Sequence, residues 1–226
     1  MTWSEIAVLV LVFVAVLVWL ALAQAQRLDR LHRKVVASRL ALDAQLLRRS
    51  SAAGELAAAD VLDPVSALLI TDAVGAVQNS CRDGDQELMV AVPDLHDLVV
   101  RHRSGMPEPT RRGVIQALDG TLGLEREAEE SSLTAVLSQL FDDPLETQPL
   151  YDIPEAEELL SSLAAAWYRV QIARRFHNEA VLQAQRQRAN PVVRLLRLAG
   201  RAPMPQTVEF DDSWPSGLRV TTSKAS

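Results

Sequence analysis

The chain has 226 residues, 48% hydrophobic and only 4% aromatic, with a formal charge of −6. This length leaves one domain with a core beside a membrane segment, and the Ala- and Leu-rich composition favours helices over strands. The acidic balance excludes the basic footprint of a nucleic-acid binder, and a single cysteine, Cys81, excludes an intrachain disulfide.

Charge is spread unevenly. Between Asp60 and Glu158 there are 21 acidic and 6 basic residues, whereas between Trp167 and Arg201 there are 8 arginines and one acid, Glu179. The middle should repel anionic surfaces and the late segment should attract them.

Residues 6–23 form an unbroken run of 18 apolar residues. As a helix rising about 1.5 Å per residue, the run nearly crosses the roughly 30 Å hydrocarbon layer. Trp3 and Trp19 lie near its ends, where indoles favour the interface. Ala21-Leu22-Ala23 fits a small-x-small cleavage site, but Met1 to Glu5 carries no Lys or Arg. The run also exceeds the roughly 7–15 residues of a signal-peptide core. A retained anchor over residues 1–26 is therefore expected. Arg27, Arg30, Arg33 and Lys34 follow it, which predicts a cytoplasmic C-terminal flank and an N-terminus outside.

The first helix is expected to continue past the membrane to about residue 59. Leu28, Leu31, Val35, Leu42 and Leu46 recur at helical spacing as one buried stripe, with Arg30, Arg33 and Arg39 placed off it. Asp63-Pro64 reads as an N-cap and first helical position, predicting a second helix to about Asn79. Arg82-Asp83-Gly84-Asp85 reads as a turn. Pro93 breaks the stretch 86–102, and residues 104–109 read as a loop. Thr110 is placed to cap a third helical region ending near Phe141, its better half starting at Leu124. Asp143-Pro144 to Asp152 reads as a second loop.

The strongest periodicity lies from about Pro154 to Asn190. Leu159, Leu163, Ala166, Val170, Ala173, His177, Ala180 and Ala184 alternate steps of four and three, a heptad seam of the coiled-coil kind. Glu155, Glu157 and Glu158 at its start and Arg186 and Arg188 at its end suit the helix dipole, and Pro191 stops it. The expected fold is all-α: an N-terminal transmembrane helix continuing into an up-and-down cytoplasmic bundle over residues 27–201, then a polar tail over 202–226. In that bundle the last helix returns to the bilayer. Val192, Leu195, Leu196 and Ala199 would then form one face of a basic amphipathic segment at the bilayer, opposite Arg194, Arg197 and Arg201; the alternative is that residues 192–199 cap the bundle core with their arginines solvated.

Leu28-Asp29-Arg30-Leu31, Gln45-Leu46-Leu47-Arg48-Arg49 and Ala173-Arg174-Arg175-Phe176-His177-Asn178-Glu179-Ala180-Val181 together resemble the LemA family. So do Pro191 and the run after it, and Pro205 with Val208 to Phe210. Asn178 falls on the Asn of an A-R-x-x-Y-N-x-A-V type pattern, and His177 stands where Tyr is usual. The middle, roughly residues 81–150, departs from the family. The resemblance implies an anchored helical bundle with its N-terminus outside, in a family without established enzymatic activity. Its members are loosely associated with membrane organisation, membrane proteases and stress.

No catalytic constellation stands out. Asp94, His96, Asp97 and His102 could supply mixed metal ligands but sit in a Pro-broken, exposed-looking stretch that disfavours a site, and Glu127, Glu129 and Glu130 read as a solvated face. His177 reads as a core histidine, while Arg174 and Asn178 could pin a buried polar contact that sets helix register. No cofactor, metal or enzymatic activity is expected. The expected function is a membrane-anchored scaffold or adaptor whose partners are membrane lipids, including anionic ones, and a protein. The alternatives are a self-assembling or lipid-organising protein, a homo-oligomer among them, and an accessory subunit of a membrane protease or transporter.

Overall fold

A computed structural model describes residues 3–91, 122–196 and 204–219, and no strand occurs among them. The fold is all-α. Helix α1, Trp3–Ala58, runs unbroken for 56 residues, about 84 Å at 1.5 Å per residue. Its apolar start has a mean hydropathy of 3.2 over its most apolar stretch, none of it buried. By length and composition, α1 is long and apolar enough to cross a membrane.

A short turn at Asp60, which takes the left-handed conformation at φ 57°, reverses the chain into α2, Pro64–Ala91. Asp63 caps α2 as expected, its Oδ1 accepting from the backbone of Val65 and Ser66 at 3.0 and 3.1 Å. The helix does not end near Asn79. It passes through Arg82-Asp83-Gly84-Asp85, because one glycine weakens a helix interior by only about 1 kcal/mol and the first proline after Pro64 is Pro93.

Helix α3 is Leu124–Phe141, the better half of the expected third helix; its proposed start at Thr110, the stretch 86–102 beyond Ala91 and the loop 104–109 lie outside the described residues. The second expected loop is instead largely helical. Pro144–Tyr151 forms α4, with Asp143 accepting from the backbone of Leu145 at 2.8 Å. This repeats the Asp-Pro start of α2. Helix α5, Pro154–Ala189, matches its expected span. Pro191 ends it and opens the short α6, Pro191–Leu195.

Packing follows the periodicities. α1 lies antiparallel along α5: Ser38 Oγ sits 3.0 Å from His177 Nδ1, Lys34 donates to Gln183, and Gln187 donates to Gln24. α3 runs parallel to α1, its Arg126 meeting Asp43 and its Glu130 meeting Arg49. At the end far from the apolar run, four helices share one core. Leu56 of α1, Ile70 of α2, Leu137 of α3 and Trp167 of α5 are fully buried in it. Toward the apolar run the core narrows to an α1–α5 pair, where Val35 meets Ala180, Val181 and Ala184. Small alanines let the two backbones approach there.

Candidate functional site

Residues 204–219 have little helical pattern in the sequence, and the structure holds them as an extended strap in the groove between α3 and α5. Val208, Phe210 and Asp212 are buried, whereas Glu209 and Asp211 between them are exposed. This is the two-residue period of an extended chain. Leu218 is buried further along, in the four-helix core.

One face of α5 grips the strap through its backbone. Gln185 donates to the carbonyl of Pro205 at 2.7 Å. Asn178 donates to the carbonyl of Val208 at 3.2 Å and accepts from its N–H at 3.0 Å. Arg174 donates to the carbonyl of Phe210, and both Gln171 and Trp167 donate to that of Asp212. From α3, Ser131 accepts from the N–H of Asp211 and Thr134 donates to its carbonyl. Arg174 and Asn178 thus bind the strap rather than a neighbouring helix. The Phe210 ring stacks 5.4 Å from the Arg174 guanidinium and 6.0 Å from that of Arg49. Asp212 pairs with Arg174 at 2.6 Å. Burial nevertheless raises its pKa, against the pull of Arg174 and Arg49 toward the ionised form.

Beneath the strap lies a buried ionic layer that sequence reasoning missed. Arg39 is not off the buried stripe of α1; it is 1% exposed, three residues before Leu42 on that stripe. Glu130 is not on a solvated face either, being fully buried and 2.8 Å from Arg49. Asp43 and Arg126, also at 2.8 Å, make a second cross-helix pair. Arg49 donates further to Thr134 at 3.0 Å and lies 5.1 Å over the Trp167 ring. Glu127 is half-buried and its pKa is raised by that burial.

The seam residues Leu163, Val170 and His177 are buried on α5, and Asn178 sits half-buried at the strap's edge. Arg194, Leu195 and Leu196 are exposed on and just after α6. Arg197, Arg201 and Ala199 lie outside the described residues, as do Asp94, His96, Asp97 and His102. Among the described residues, no three His, Cys, Asp or Glu side chains are grouped to hold a metal ion. An open groove of about 710 Å³ runs beside the strap, lined in part by Arg175, Phe176, Glu179 and Glu209.

What the arrangement can do chemically is hold a peptide segment in an extended form by its carbonyls and bring two long helices into fixed register. No family model, no characterised protein and no solved structure matches this chain.

Proposed function

We propose that the protein is a membrane-anchored, non-enzymatic helical scaffold or adaptor, LemA-like in plan, with its bundle on the cytoplasmic side. One observation carries this reading. The apolar run and the bundle core share a single unbroken helix, α1. A bundle built on the continuation of a span is positioned by it, with no flexible linker to uncouple the two. The arginines at positions 27, 30 and 33 after the run support the orientation.

The test uses the full chain in lipid nanodiscs, with Cys81→Ser and a dye at Glu55→Cys near the far end of α1. Energy transfer to acceptors at the lipid surface should place the dye roughly 45 Å away, the rise of a helix from Gln24. A dye close to the surface would sink the reading. Orientation is checked in intact cells by whether an impermeant thiol reagent reaches Thr2→Cys but not Cys81, with labelling of Cys81 after lysis as control.

Self-assembly through the heptad seam has less support, since α1 already packs along that seam within one chain. The role of accessory subunit to a membrane protease or transporter remains compatible with the same anchored bundle, and would be supported by specific co-purification of such a complex with the full chain.

A further inference from the structure

The apolar run of α1 ends at Ala23, yet coverage of α1 begins just before that end, at Ala21. Ala21, Gln24 and Ala25 are partly buried, while Leu20, Leu22 and Ala23 are exposed. Steps of three and four mark a single helix face. Two elements reach that level. α5 arrives with Gln187 bonded to Gln24, and α6, which begins just after, packs on α1 as well. α6 therefore sits beside the last turn of a segment apolar enough to cross a membrane.

α6 turns Val193 inward, at 1% exposure, and leaves Leu195 and Leu196 outside at 83% and 46%. Arg194, just before them, is exposed as well. Arg186 is exposed on the last turns of α5, and Arg27 and Arg30 are exposed on α1 one to two turns past Ala23. Exposed apolar side chains on a helix packed against α1 near the end of its apolar run, with exposed arginines on the neighbouring turns of α1, α5 and α6, match the two chemistries of a leaflet surface. Leucine suits the acyl boundary and guanidinium suits lipid phosphate.

We infer that α6 is a second membrane contact. Leu195 and Leu196 enter the headgroup–acyl boundary of the leaflet from which α1 emerges, and Arg194, Arg186, Arg27 and Arg30 bind its anionic headgroups. This rests on the reading of residues 6–23 as a span. A lone helix can tilt and rotate in a bilayer, and its tilt is set by its neighbours and interfacial anchors. A second contact held beside α1 through Gln24 and Gln187 fixes which face of the bundle looks down.

The experiment uses the full chain with Cys81→Ser in nanodiscs of phosphatidylcholine with phosphatidylglycerol. An environment-sensitive dye is placed singly at Leu195→Cys, at Leu11→Cys in the apolar run, or at Leu145→Cys. Leu145 on α4 matches Leu195 in exposure, at 83%. Lipids carrying shallow acyl-chain quenchers report contact, since an interfacial helix lies about 5–10 Å into the boundary. Quenching at Leu195 and at Leu11, with none at Leu145, is the expected result. Loss of quenching at Leu195 is expected when phosphatidylcholine is used alone or Arg194→Gln is added. Leu11 quenched with Leu195 as unquenched as Leu145 would overturn the second contact and leave the span standing. Leu11 unquenched would overturn the span, and this inference with it. Undiminished quenching at Leu195 in both phosphatidylcholine and the Arg194→Gln protein would overturn the anionic-lipid part.

Discussion

Arg49 carries its charge to the centre of the bundle without solvent exposure. Such a group is tolerated only where its hydrogen bonds and countercharge are supplied, and Glu130, Thr134 and the Trp167 face supply them. Removing one partner of a buried pair strands the other. Glu130→Ala should therefore lower stability by roughly 3–5 kcal/mol in urea unfolding. Replacing Arg49 and Glu130 together by Met should cost less than the sum of the single changes. Equal additivity would mean that the two do not interact. Asp212 makes a second residue-scale prediction. Burial raises its folded pKa above the unfolded value near 3.8, so its contribution to stability is full below that value. It is lost as pH rises through the folded pKa. The stability of Asp212→Asn relative to wild type should thus rise from pH about 4 upward, while at any fixed pH the lost Arg174 pair counts against the variant. Taking the difference between the two proteins removes Asp63 and Asp142, whose pKa values are lowered by hydrogen bonds to Ser66 and Ser216 and which act with the opposite sign. A difference flat with pH would refute the account. None of these ionic partners was legible in sequence. Glu130 does fall in step with Leu133, Leu137 and Phe141, but its partner lies 81 positions away on another helix. A local pattern cannot tell a buried charge with such a partner from a solvated one.

The helices show which signals carry. α5 was readable from end to end because its seam, its charged ends and Pro191 all agree. α4 departs from the expected loop: Asp143-Pro144 repeats the signature of Asp63-Pro64, and the cap starts a helix although Pro149 lies inside it. α2 runs past the expected turn because a Gly-containing signal without a proline does not by itself stop a helix. The strap is the larger omission. Val208-Glu209-Phe210-Asp211 does alternate, but a groove between two helices can be recognised only once both are placed. Its docking is specific enough to test. Asn178→Ala removes both bonds to Val208 and should lower stability by about 1–3 kcal/mol. Gly217 donates its N–H to the Phe141 carbonyl at 2.8 Å. A methyl there would collide with that carbonyl and with Thr147, so Gly217→Ala should lower stability by roughly 1–3 kcal/mol through overpacking. Hydrogen exchange should show faster exchange at the amide of residue 208 in the first variant and of residue 217 in the second. Unchanged exchange in either would mean that the strap is not held there.

At the scale of the whole molecule the strap ties the described helices together. Near the apolar run, among the described residues, the buried cluster is built by α1 and α5. In the middle, Val208 and Phe210 of the strap share one buried cluster with Leu42, Leu46, Leu122 and Val170. At the far end Leu218 and Trp214 join the four-helix core, Trp214 tilted against Trp167 with ring centroids 6.3 Å apart. Burying Val208, Phe210 and Leu218 contributes about 1.5–3 kcal/mol each, a total comparable with the roughly 5–15 kcal/mol that holds a domain folded. A chain ending at Pro203 should therefore keep most of its helix in far-ultraviolet circular dichroism. It should lose the near-ultraviolet signal of Trp167 and melt over a broad range, since secondary structure outlasts specific packing when a core is left unfilled. Adding a peptide of residues 204–219 should restore part of the sharp transition. If the shortened chain instead melts as cooperatively as the full one, the α1–α5 stalk and the four-helix end are stable without the strap. The grip of Arg174 and Asn178 on its backbone would then serve attachment rather than folding.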